Sequence, residues 1–256
     1  MFSVAVSDQT IFEECYRGRQ SSLHHMAYLR MAKVLLALES LRAANIDLSS
    51  KRVFDYGFGA GTFFHYCLPS TRLFGVEIDP ANVAEVRRSL ATKGREADLQ
   101  AISLDSWSGH PLLARQYDLF LCSHVLEHLP DPVAFLRRVR SCISPGGRFI
   151  GLVPLNERAE NPHHVNAPDR AMIEEWAREA GYAMSFYEEN DPYLYWFQPL
   201  FAADSGWRHK AAQAVSLGLG VAAKVLGRRA WLAFAPFFAR VTFSLPTQAV
   251  FLLEPQ

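Results

Sequence analysis

Residues 21–45 read SSLHHMAYLRMAKVLLALESLRAAN, in which Leu23, Met26, Leu29, Ala32 and Leu36 recur at steps of three and four. Apolar side chains at that spacing share one helix face, so an amphipathic helix is predicted after the serine pair. Beyond it the period changes. Arg52–Tyr56 is a short run ending in a glycine cluster, and Arg72–Ile78 is a second, followed by Asp79 and Pro80. Proline suits the first turn of a helix, so a helix start is placed there. Ala97–Leu104 predicts a third strand. Tyr117–Ser123 (YDLFLCS) has the near-continuous apolar character of a strand covered on both faces. Asp131 and Pro132 open another helix, with Val133, Leu136, Val139 and Ile143 along one side. Pro145, Gly146 and Gly147 stop it, and Arg148–Val153 predicts a fifth strand.

A helix over 169–180, stopped by Gly181, and strands at Ala183–Glu188 and Gln248–Leu253 complete the series. Strands alternating with helices imply βαβ units and a largely parallel, doubly wound α/β sheet. The chain accordingly divides into an N-terminal helical cap (1–50), a core (51–189 with 246–256) and an apolar, aromatic-rich insertion (190–245).

Half of the 256 residues are hydrophobic, enough for one full core. Lys and Arg balance Asp and Glu at 26 each, so no electrostatic argument favours a nucleic-acid partner. Cys15, Cys67, Cys122 and Cys142 form no CxxC pair, which predicts reduced thiols in a cytoplasmic protein. The first residues lack the basic start and apolar run of a signal peptide. No run reaches the ~20 apolar residues of a spanning helix.

Candidate chemistry concentrates after the first strand. Asp55, Gly57, Gly59 and Gly61 stand in FDYGFGAG, where glycines permit tight turns and close approach of a ligand to the backbone. Glu77 ends the next strand, where a carboxylate can bind ribose hydroxyls. The spacing is G-x-G-x-G, whereas a dinucleotide fold uses G-x-G-x-x-G. A carboxylate at Asp55 would also repel a pyrophosphate, yet attract the ammonium group of a methionine moiety. These two details favour S-adenosylmethionine over NAD.

FDYGFGAGTF, FGVEIDP, YDLFLCSHVLEHLPDP and ISPGGRFIGLVP together resemble the successive motifs of class I S-adenosylmethionine-dependent methyltransferases. The likeness runs from about Lys51 to Glu188, in the style of the ubiquinone-biosynthesis O-methyltransferase group. It implies a Rossmann-like seven-stranded sheet of order 3-2-1-4-5-7-6 with an antiparallel last strand. It also implies that Asp55, Gly57, Gly59 and Gly61 line the methionine end, that Glu77 takes the ribose and that Ile78 lies against adenine. Asp105, with Leu104 or Ser106 beside it, falls near the adenine amino group. Ser123 and His124 close the methionine pocket. S-adenosylhomocysteine would be the product.

His124, Glu127 and His128 fall on one side if their stretch is helical. Three uses stay open for them: cofactor packing, general acid–base work by His124, and a metal site formed by all three. His164, in the NPHHVN stretch after the fifth strand, is a second candidate base. His24 and His25 suit packing on the N-terminal helix. The expected reaction is methyl transfer to a small-molecule or amphiphilic acceptor, at a hydroxyl oxygen. The rivals are a cofactor-binding scaffold without turnover and an NAD-dependent oxidoreductase. Residues 190–245 suit a pocket lid, a homodimer interface or a peripheral membrane contact.

Overall fold

The computed structural model describes residues 28–102, 109–157, 164–191 and 240–256, together with residues 207, 210–211, 214–218, 221, 225 and 237 between them. The first helix, α1 (Tyr28–Ala43), is followed by β1 (Arg52–Tyr56), α2 (Thr62–Tyr66), β2 (Arg72–Glu77), α3 (Pro80–Ala91) and β3 (Ala97–Ala101). Then come β4 (Tyr117–Ser123), a 3-10 turn (Leu126–His128), α4 (Pro132–Arg140), β5 (Ile143–Pro154), α5 (Arg170–Glu179), β6 (Tyr182–Asn190) and β7 (Gln248–Pro255).

The seven strands form one sheet in the order β3-β2-β1-β4-β5-β7-β6, as the resemblance implied. β1 pairs in parallel with both β2 and β4, setting Asp55 opposite Gly75 on one side and Leu121 on the other. β7 runs antiparallel to β5 and β6. The parallel strands therefore all end at one edge, where β1, β2 and β4 deliver Tyr56, Glu77 and Ser123.

Helix starts were legible because their caps are local. Asp79, Asp131 and Asp169 each accept a backbone N–H from the first turn of α3, α4 and α5, with Pro80 and Pro132 just inside. Two core layers flank the sheet. On one side Phe54, Tyr117, Phe120, Leu136, Val139, Phe149 and Phe251 pack under α4 and α5. On the other, Leu38 and Leu41 of α1 meet Val53, Phe64, Val86, Leu121 and Ile150. Within the predicted N-terminal cap, apolar α1 side chains from Met31 to Leu41 are buried in the core, and Ser40 Oγ donates to Glu188 of β6. His24 and His25 lie outside the described residues.

The fifth strand is longer than expected. Pro145, Gly146 and Gly147 lie inside β5 instead of ending the preceding helix, because the ladder to β4 begins at Ile143, slips in register, and resumes at Arg148. Gly151 faces the ring of Phe251 in the adjacent strand, and a Cβ there would stand 2.1 Å from Phe251 Cζ. Gly151→Ala is expected to destabilise the fold by about 1–3 kcal/mol, read as a lower urea midpoint at an unchanged slope.

Candidate cofactor and catalytic site

β1 ends in a loop that only glycine accommodates. Gly57, Gly59 and Gly61 all have left-handed backbone, with φ of 71°, 53° and 64°. At Gly61 space adds to conformation, since a Cβ would lie 2.4 Å from Val86 Cγ1 of α3. At Gly57 a Cβ would meet Val125 Cγ2 at 2.9 Å, so the loop packs directly on the turn after β4.

Two carboxyl groups lie under this loop, both almost wholly buried. Glu77 Oε2 accepts the N–H of Gly59 at 2.6 Å, while Oε1 accepts from Ile78 at 3.0 Å and Asp79 at 3.3 Å. Burial raises its pKa and these backbone donors oppose the rise. A carboxylate offers about four lone-pair sites, so acceptor capacity remains for a hydroxyl. Asp55 Oδ1 is buried with no hydrogen-bond partner. Burial, then the charge of Glu77, drives the Asp55 carboxyl well above its ordinary range. A buried acceptor without a donor fits a cationic or N–H-bearing ligand above it, which is what the sequence assigned to Asp55.

The carboxyl end of β4 supplies the other half. Ser123 is its last residue, half-buried, and His124 follows with φ of 55°, a left-handed conformation uncommon outside glycine. His124 N–H donates to Leu152 O at 2.8 Å, which fixes the ring's base against β5. Its Nδ1 lies 3.3 Å from Glu127 Oε1, and its Nε2 lies 3.3 Å from Gln248 Oε1. Gln248 in turn donates through Nε2 to Asn190 Oδ1 at 3.2 Å, so its carbonyl oxygen faces the imidazole. Burial lowers the His124 pKa and the charge of Lys33 on α1 lowers it further, against the pull of Glu127 and Gln248.

Glu127 is fully buried, and neither carboxylate oxygen makes a well-aligned hydrogen bond; the His124 contact is an ion-pair distance only. Burial pushes its pKa up, but His124 and His128 outweigh that and hold it below the usual range. On its other side stand His128 and His164, whose rings meet edge-on with centroids 4.7 Å apart. His164 Nδ1 lies 2.5 Å from Glu157 Oε2. The backbone carbonyl of Glu127 accepts from Val165 at 2.9 Å and Asn166 at 3.1 Å, which ties the segment after β5 to the 3-10 turn.

The metal grouping read from the sequence changes accordingly. Among the described residues, Glu127, His128 and His164 present potential ligand atoms within 4.8 Å of one another. His124 is replaced by His164 in that group because its two ring nitrogens face Glu127 and Gln248. The stretch is also a 3-10 turn, whose three-residue period differs from the helical one assumed. Ile78 sits half-buried just past the end of β2. Asp105, Leu104 and Ser106 lie outside the described residues. Gln248, Asn190 and Lys33 were not singled out from the sequence. Gln248 had a visible signal, a polar residue opening the apolar run QAVFLL, and Lys33 is the lone cation in MAKVLLAL.

The sheet order, the glycine loop and the paired acids beneath it define the class I S-adenosylmethionine-dependent methyltransferase fold. A model of the methyltransferase domain matches residues 23–190, and the chain belongs to that family, whose methyl donor is S-adenosylmethionine. A ubiquinone biosynthesis O-methyltransferase of Marinobacter nauticus is 27% identical over 116 residues, 44% of this chain and 49% of that protein. The chain thus spans about half the length of the curated relatives it matches. Coclaurine N-methyltransferase, solved with N-methylheliamine and SAH, superposes with a TM-score of 0.62 at 12% identity, covering 96% of this chain and 82% of that one. The cyclase SpnF superposes with a TM-score of 0.59 at 17% identity, over 87% and 81% of the two chains. Such likenesses establish the fold and leave the reaction to the site.

The raised Asp55 pKa has a consequence for stability. A carboxyl raised on folding favours the fold fully below its unfolded value and loses that contribution as pH rises through the folded value. Asp55→Asn removes the ionisable group and is expected to stabilise the protein at neutral pH by about 1–3 kcal/mol. Thermal melts across the acidic-to-neutral range would show the gain growing with pH.

Proposed function

We propose that the protein transfers a methyl group from S-adenosylmethionine to a hydroxyl oxygen of a small or amphiphilic acceptor, with His124 as general base. The observation that carries this reading is the Glu127–His124 pair at the carboxyl end of β4, directly against the glycine loop. Bound S-adenosylmethionine supplies an electrophilic methyl on a sulfonium, and transfer is an in-line displacement.

The chain's own residues then have separable tasks. The loop of Gly57, Gly59 and Gly61 admits the methionine portion against the backbone, and Asp55 offers its unmatched oxygen beneath it. Glu77 and Ile78 stand where ribose and adenine would lie. Glu127, 3.3 Å from Nδ1, would accept the Nδ1–H of His124 once the two groups align, which leaves Nε2 as the basic nitrogen. An acceptor hydroxyl that displaces Gln248 Oε1 from Nε2 would give its proton to Nε2, so that the oxygen attacks without building up an alkoxonium. Much of the remaining rate comes from alignment and exclusion of water.

Calorimetry with S-adenosylhomocysteine tests the first half. Asp55→Ala or Glu77→Ala is expected to weaken binding about ten-fold or more; unchanged affinity in both would remove the site assignment. Turnover tests the second. His124→Gln is expected to lower kcat by about 10²–10⁴ while leaving cofactor affinity in place. Because the His124 pKa is lowered, the acid limb of the kcat profile should fall below the ordinary imidazole value of about 6.5. An acid limb at or above that value would assign the base elsewhere, with His164 the next candidate.

A second reading is favoured by the orphaned oxygens of Glu127. Glu127, His128 and His164 form the two-imidazole, one-carboxylate donor set of an open zinc-type site. Glu157 would hold the outer nitrogen of His164, as carboxylates commonly do behind metal-bound histidines. Zinc titration of the purified protein decides it: stoichiometric binding lost in His164→Ala supports a metal-assisted acceptor, and no binding leaves the histidine base alone.

A further inference from the structure

The chain between β6 and β7 turns apolar side chains outward. Wherever it is described between Trp207 and Val225 it is helical, and Trp207, Ala214, Leu217, Val221 and Val225 are all exposed. They recur at steps of three and four with Lys210 among them, so they share one helix face. Exposure reaches 73% at Trp207 and 80% at Val225, whereas Ser216, about 100° around the helix from Leu217, is 6% exposed. This inverts the usual arrangement, in which the polar face meets water. Phe237, Val241, Phe243 and Leu245 continue the exposed apolar set up to the start of β7. Exposed apolar side chains grouped in this way, on a chain with a full core, mark a contact surface.

Charge identifies the contact. Residues 205–253 contain Arg208, Lys210, Lys224, Arg228, Arg229 and Arg240 and no Asp or Glu, in a chain whose acids and bases balance overall. Lys210, within the apolar face, and Arg240, next to Val241, are both exposed. An apolar stripe edged only by cations would repel a second copy of itself, since a two-fold contact sets like charges together. It complements a surface with negative headgroups over an apolar interior. No described helix is long and apolar enough to cross a membrane.

The segment is rooted at the catalytic edge. Thr247 donates its hydroxyl to Asp191 at 2.7 Å and its N–H to Asn190 O at 2.9 Å, clamping the two ends of the segment together. The next residue is Gln248, which touches His124. We propose that the face running from Trp207 to Val225, with Phe237 and Val241–Leu245, docks the protein on an anionic lipid surface. Its acceptor would then be drawn from the membrane interface, a corollary that rests on the methyl-transfer reading; the docking itself does not.

Flotation of the whole chain with vesicles tests it. Binding is expected to phosphatidylglycerol-containing vesicles and not to pure phosphatidylcholine ones, and to weaken with added salt. Val221→Asp with Val225→Asp should abolish it. Lys210→Glu and Arg240→Glu should each weaken it about five-fold or more, from the free energy of a cation beside an anionic leaflet. All four side chains are exposed, so the variants should keep wild-type melting temperatures and S-adenosylhomocysteine affinity. Absence of vesicle binding by the wild type, equal binding to neutral vesicles, or binding that survives the double aspartate change would overturn the proposal. So would a concentration-dependent dimer broken by that double change without any vesicle binding, because the face would then belong to a second copy. Failure of S-adenosylhomocysteine to bind would remove the methyl-transfer reading while leaving the vesicle result standing.

Discussion

Three carboxyl groups, those of Asp55, Glu77 and Glu127, are withdrawn from water at one edge of the sheet, and the surrounding structure is arranged around the cost of holding them there. A buried charge is tolerated only when donors or counter-charges replace its water. The three differ in how far they meet this requirement. Glu77 is surrounded by backbone N–H groups from the glycine loop and the start of α3. Glu127 lies between imidazoles that pull its pKa down. Asp55 has neither, and its pKa climbs. The three acids thus differ in how far the protein itself satisfies them: Glu77 by backbone donors, Glu127 by flanking imidazoles, and Asp55 by neither.

The hydrophobic layers make that edge possible. β1 and β4 are buried on both faces, so their carboxyl ends are held by Phe54, Phe120, Leu121 and Cys122 in a rigid parallel ladder. A parallel sheet brings every strand's end to one side, and a loop leaving such an end can place a side chain without disturbing the core. His124 shows the local strain this entails. A non-glycine residue in left-handed backbone is costly, and it persists because its N–H is fixed to β5 and its ring is held between Glu127 and Gln248.

The antiparallel seventh strand joins the chain's two chemistries. β7 brings Gln248 beside His124, and its first residues close the segment that begins after Asp191. The exposed apolar segment and the His124 ring are thereby linked through a few consecutive residues, Thr247 and Gln248 among them.

Much of this was legible in the sequence because it is local. The strand-glycine-helix unit, the aspartate caps at Asp79 and Asp131, and the alternation that builds a doubly wound sheet depend on neighbours within a few residues, and side-chain chemistry at short range decides them. The G-x-G-x-G spacing and the acids at Asp55 and Glu77 needed only the period of a strand and its turn. What the tertiary structure decided depends on residues far apart along the chain. Gln248 reaches His124 only because β7 inserts between β5 and β6, and Lys33 acts on the same ring from α1. His164 joins Glu127 and His128 because the segment after β5 hydrogen-bonds back to the turn after β4. The outward direction of the apolar stripe from Trp207 to Val225 likewise cannot be read from periodicity, which gives a face its composition but not the side of the molecule it meets.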